Sequence, residues 1–117
     1  MAKTTKIDAV RFTGNSGRHY DFRIYVWDTK FKPLAGVYVV AARTIDPGQP
    51  ARYEALFVGM GTDLSKVLAN HPRGECFEMY YANVVGILRQ DDEATRAAIV
   101  ADLVDGLAPP CNAPDAE

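Results

Sequence analysis

Apolar and polar positions recur along this chain with two periods, and each period predicts a different kind of element. Ile7 to Thr13 sets Ile7, Val10 and Phe12 among polar neighbours and reads as a strand. Gly14-Asn15-Ser16-Gly17 is a dense turn signal. From Tyr20 to Trp27 the alternation is regular. Tyr20, Phe22, Ile24 and Val26 fall on one face, Asp21, Arg23, Tyr25 and Trp27 on the other, the pattern of a half-buried strand. The two runs make an N-terminal hairpin, and Asp28 to Pro33 is a polar connection. Gly36 to Ala42 is continuously apolar, as in a central strand covered on both faces. Asp46-Pro47-Gly48-Gln49-Pro50 is a turn. Tyr53 to Val58 returns as the next strand, broken by Gly59-Met60-Gly61.

Beyond Gly61 the period lengthens to that of a helix. Thr62 is the expected N-cap, with Asp63 suited to the positive helix end. Leu64, Val67, Leu68 and His71 follow as an amphipathic stripe that Pro72 ends. Residues 73–81 favour no element. Asn83 to Leu88 reads as a strand, and Asp91 or Asp92 as the cap of a helix running to about Leu107, with Ile99, Val100, Leu103, Val104 and Leu107 inward. Gly106, Pro109 and Pro110 mark its end, and the tail 113–117 is expected to fray. This order predicts an α+β fold, an α/β sandwich with helices packed on a mixed, mainly antiparallel sheet.

Composition narrows the function classes. A chain of 117 residues, 48% hydrophobic and 24% charged, suits one soluble domain spanning 1–112. No apolar run approaches the ~18 residues of a membrane span, and Met1 to Lys6 lacks the apolar core of a signal peptide. Both point to the cytoplasm and away from a membrane partner. A formal net charge of -2 weighs against tight, non-specific binding of nucleic acid while leaving a local basic face open. Cys76 and Cys111 stand far apart, without a CxxC pair or a histidine at ligand spacing. They read as two reduced thiols, with neither a disulfide nor a zinc site expected.

Several short motifs occur in an informative order. Gly36-Val37-Tyr38 is followed by Phe57-Val58-Gly59, then Thr62-Asp63-Leu64, a helix ending in Asn70-His71, a further strand, and a last helix leading into Pro109-Pro110-Cys111-Asn112. From Leu34 to Asn112 this resembles a GIY-YIG nuclease domain, with 1–33 as an N-terminal hairpin extension and 34–112 as the core. The resemblance implies roles for particular residues. Tyr38 takes the place of the tyrosine that helps activate a water. Phe57 takes the place of the second tyrosine and lacks its hydroxyl. The arginine slot on the following helix falls at Val67. The metal-binding glutamate slot, three residues before Leu103-Val104, falls at Val100. His71 and Asn112 keep the histidine and the closing asparagine. The hairpin between the first two motifs is longer than the family usually shows.

Phosphodiester hydrolysis needs a metal or cation clamp on the developing charge, and removing one such group costs ~10²–10³ in rate. Lys66 lies about 100° round its helix from Val67, and Asp102 about 200° round from Val100, so neither replaces the lost group. Val67 and Val100 each extend an apolar stripe, so the former site is expected to be filled in by two aliphatic side chains. The resemblance therefore implies a degenerate nuclease, without cofactor or metal, that acts as a binding or regulatory module. Its partner would be a protein or a nucleic acid, with charge favouring protein. The alternative is a divergent Mg²⁺-dependent endonuclease using Tyr38, His71, Asn112 and a relocated carboxylate, for which Glu75, Glu78, Asp91, Asp92 and Glu93 are available.

Each candidate also has a structural role open to it. Tyr38 can be a core residue with its hydroxyl bonded to a neighbour. His71 can sit as imidazolium at a helix C-terminus. Asn112 can bond backbone and hold the C-terminal segment. Tyr25, Trp27, Tyr80 and Tyr81 can stack on bases, form an interface or simply pack. Arg43, Arg52, Arg73 and Arg89 are the candidate phosphate contacts or solvated surface. The binding candidates are thus Tyr38, Phe57, Lys66, His71, Asn112, Arg43 and Arg73.

Overall fold

A computed structural model describes residues 6–113 of the chain. The readings made for Met1 to Thr5 and for the tail beyond 113 lie outside the described residues. The elements are β1 (Asp8–Thr13), β2 (His19–Val26), β3 (Gly36–Thr44), β4 (Arg52–Gly61), α1 (Leu64–Ala69), α2 (Gly74–Met79), β5 (Val84–Arg89), α3 (Glu93–Leu107) and a last 3-10 turn over Pro110–Asn112. The strands form one sheet in the order β1-β2-β5-β3-β4.

The fold is α+β, and the sheet is wholly antiparallel rather than mixed. The reason lies in the placement of β3. Strands β4 and β5 run the same way, but β3 lies between them and pairs antiparallel with both. The continuously apolar run predicted for β3 fits this central place. Val37, Val39 and Ala41 face one layer and Tyr38 and Val40 the other, and all five are buried.

Two apolar clusters form, one on each side of the sheet. The first gathers Phe12, Phe22, Ile24, Val39 and Val58 under Ile99 and Leu103 of α3. The second gathers Tyr38, Val40, Leu56, Val85 and Ile87 under Leu64 of α1, Phe77 of α2 and Cys111. A bulge lets β4 serve both. Val40 pairs with Phe57 and Ala41 with Ala55, so Leu56 is the extra residue. Leu56 and Phe57 consequently turn to the same side, which strict alternation forbids.

Helix boundaries differ from the sequence reading in instructive ways. Asp63, not Thr62, caps α1, because its carboxylate accepts the Ser65 N–H at 3.0 Å. Helix α1 ends at Ala69, so Asn70 and His71 lie past it. The undecided stretch 73–81 holds α2, whose six residues are too short to display a period. It closes with the Ala82 N–H on the Phe77 carbonyl and the Tyr81 N–H on the Glu78 carbonyl. That pattern needs a left-handed residue at the position usually given to glycine, and Tyr81 takes it with φ 61°.

The first hairpin and the last described turn are both fastened to the body of the fold. The β1–β2 turn docks on α3, where Asp102 accepts from the Ser16 N–H at 2.8 Å, the Ser16 hydroxyl at 2.6 Å and the Tyr20 hydroxyl at 2.8 Å. These bonds hold the Asp102 carboxyl below the usual aspartate range, the Ser16 hydroxyl contributing most. Cys76 and Cys111 form a disulfide, which overturns the expectation of two reduced thiols. Sequence spacing could not show it, because the two residues are 35 apart and meet only once α2 and the 3-10 turn pack together. Ala113, placed in the frayed tail by the sequence reading, has its carbonyl held by Arg73 Nη2 at 2.6 Å.

Candidate functional site

The residues singled out in the sequence converge on the second cluster. Tyr38 projects from the middle of β3, directly opposite Gly59 of β4. A Cβ at Gly59 would come 2.5 Å from the Tyr38 hydroxyl, so the absent side chain there is what lets the ring lie across β4. Phe57, turned to this side by the bulge, stacks on Tyr38 with ring centroids 5.9 Å apart. His71 stands edge-on to Phe57 at 4.8 Å and tilted against Phe77 at 4.8 Å.

The protons of this group can be assigned from its bonds. His71 Nδ1 accepts the Arg73 backbone N–H at 3.0 Å. In the neutral ring the hydrogen therefore sits on Nε2, which donates to the Tyr38 oxygen at 2.6 Å. Protonating Nδ1 would set two donors against each other. Burial, followed by the nearby Arg73 charge, pushes the His71 pKa down. His71 is thus a neutral, internally bonded ring, not the imidazolium at a helix end that the sequence suggested. Burial pushes the Tyr38 phenol up from its ordinary value, and the residue is 2% exposed. A phenol so placed does not ionise near neutral pH, and its oxygen already accepts a hydrogen bond.

Asn112 is equally committed. Its side-chain oxygen accepts the Val58 N–H at 2.7 Å and its amide donates to the Val58 carbonyl at 2.9 Å. The carboxamide thereby continues the ladder beyond the edge strand β4. Arg73 supports the same segment, donating through Nε to the Cys111 carbonyl at 2.7 Å. Arg43 lies elsewhere, donating through Nε to the Tyr53 hydroxyl at 2.8 Å, which in turn donates to Asp8 at 2.6 Å. Lys66 is exposed on α1. The structure therefore brings Tyr38, Phe57, His71, Arg73 and Asn112 into one neighbourhood and leaves Arg43 and Lys66 outside it.

One expectation fails on geometry. Val67 packs on the second cluster, the one that holds Tyr38, while Val100 packs on the first, on the opposite side of the sheet. The two valines cannot fill a common hollow. Nor could a side chain at Val100 complete a centre with Tyr38, because the sheet stands between them. Among the described residues no group of three or more histidine, cysteine, aspartate or glutamate side chains is placed to hold a metal ion.

A groove of about 450 Å³ opens beside this group, between the β2–β3 connection and α1, with Trp27, Phe31, Leu68 and His71 in its walls. Several structurally important residues escaped the sequence reading. Arg96 is 4% exposed and donates through Nη1 to the Gln90 and Asp91 carbonyls, both at 3.0 Å, pinning the turn into α3. Asn83 bridges the N–H and carbonyl of Arg43 as Asn112 bridges Val58. Neither has a signal in spacing or composition. Compared with family models, with curated proteins and with solved structures, the chain gives no significant match.

Proposed function

We propose that this chain is a non-catalytic binding module built on a GIY-YIG-like frame, with a protein as its partner. The observation that carries this reading is the bond between Tyr38 and His71. The phenol that would activate a water in that frame is 2% exposed and accepts from His71 Nε2 at 2.6 Å. The other two residues the frame would use are occupied in the same way, His71 by the Arg73 N–H and Asn112 by the Val58 backbone. All three serve packing, and none presents a reactive group to a phosphodiester.

A protein partner is favoured by the surface beside α2. Met79 and Tyr81 are 69% and 83% exposed, and Tyr80 adjoins them. Tyr81 holds a left-handed backbone that costs a non-glycine residue roughly 1–2 kcal/mol. An exposed aromatic ring kept at such a position suits contact with another molecule better than it suits this fold.

The test is a cleavage assay on supercoiled plasmid and on branched DNA, with Mg²⁺ or Mn²⁺. No nicking is expected. Metal-dependent nicking that disappears in Tyr38→Phe would establish the divergent endonuclease instead.

A further inference from the structure

The side of the sheet that carries α1 and α2 is covered over β3 and β4 and open over β1 and β2. Across that open part, alternation places Ala9 and Arg11 of β1, Asp21, Arg23 and Tyr25 of β2, and Ile87 and Arg89 of β5 on one face, since their neighbours Val10, Phe22, Ile24 and Leu88 pack on the other. Arg23 pairs with Ile87 across the strands, and Ile87 pairs in turn with Tyr38. A groove of about 500 Å³ lies here, lined by Asp21, Arg23, Tyr25, Leu34, Ile87 and Arg89 among others.

Its charge is cationic at the rim. Arg11 takes up the Asp21 carboxylate through Nε at 2.9 Å and Nη2 at 3.4 Å. That leaves Arg23, which has no carboxylate partner among the described residues, and Arg89, whose nearest is Asp91 at 4.0 Å. With both side chains of that last pair more than three-quarters exposed, the pairing is weak. Counting Arg11 beside the groove, three arginines face Asp21 and the weakly paired Asp91, a local excess of positive charge on a chain whose formal net charge is -2. The floor is apolar, formed by Ile87, Leu34 and the Tyr25 ring.

We propose that this groove binds a small aromatic phosphate of nucleoside monophosphate size. Arg23 and Arg89 take the phosphate, and the ring rests on Tyr25, Ile87 and Leu34. Charge complementarity selects the anion, and the apolar floor selects one with a flat, apolar body. The size argues for a single small molecule, since pockets for such ligands span about 300–1,000 Å³. A nucleic-acid strand needs a track of cations along its backbone, and two arginines do not make one. The inference is independent of the loss of nuclease chemistry proposed above.

The experiment is a titration of the full chain with adenosine monophosphate, adenosine and inorganic phosphate, followed by calorimetry and amide chemical shifts. The monophosphate should bind about 10-fold more tightly than either part alone, with shifts centred on β2 and β5. Arg23→Gln and Arg89→Gln should each weaken it about 10-fold, while Arg52→Gln on β4 changes nothing. Both arginines of the groove are exposed, so these variants keep the fold, and the amide spectrum verifies that. Equal affinity for adenosine and its monophosphate, or indifference to both groove variants, overturns the proposal. So does much tighter binding of a single-stranded oligonucleotide or an acidic peptide at the same arginines, which would make the face a polymer surface. Any of these results leaves the cleavage assay, and the reading it decides, untouched.

Discussion

At the scale of single residues, His71 shows how a bond assigns a proton and a proton assigns a pH response. Its folded-state pKa lies below the ordinary 6.5, first through burial and then through Arg73. The unfolded chain therefore takes up the proton before the folded one does. Stability from this residue is complete above the unfolded value and declines as pH falls toward the folded value. Urea unfolding should thus show a loss that sets in as pH falls through about 6.5 and that His71→Gln removes. The lowered carboxyls of Asp8 and Asp102 act in a separate window, since their contribution is lost only below about pH 4. An unchanged pH profile in the His71 variant would mean that the ring is not held neutral by the fold. Sequence spacing marked Tyr38 and His71 separately. Their bond was not legible, because it depends on Gly59 leaving room for the phenol and on a bulge turning Phe57 beside it.

At the scale of elements, long periodic segments were readable and short or irregular ones were not. The alternation through Phe22 and Ile24 located β2, and the stripe through Ile99 and Leu103 located α3, because burial on one face imposes a period. Helix α2 has only six residues, and it ends on a tyrosine where glycine is the usual signal. The docking of the first hairpin on α3 was likewise hidden, since it rests on the absence of side chains. A Cβ at Gly106 would lie 2.6 Å from the Asn15 nitrogen and 2.7 Å from the Gly14 carbonyl carbon, both backbone atoms that cannot swing aside. Helix propensity alone favours alanine there by about 1 kcal/mol. Overpacking against backbone costs about 1–3 kcal/mol, so Gly106→Ala should destabilise on balance despite the better helix former. A raised melting temperature would show that the turn does not sit this closely on the helix.

At the scale of the whole molecule, the sheet separates what the sequence brought together. Val67 and Val100 looked like two halves of one filled site, yet they lie in different clusters. One-dimensional spacing assigns slots but does not say on which side of a sheet each slot falls. The class of fold was legible because strand and helix periods alternate along the chain in a definite order. The partition of its core into two layers required the register of β3 against both neighbours.

The Cys76–Cys111 bond turns residues 76–111 into a covalent ring that contains β5 and α3. A protease that cuts only at the exposed turn of Asp91 and Asp92 opens this ring without dividing the molecule. On a gel run without thiol the nicked chain should migrate whole, and with thiol it should fall into two pieces. Two bands before any thiol is added would mean that the sulfurs had never joined.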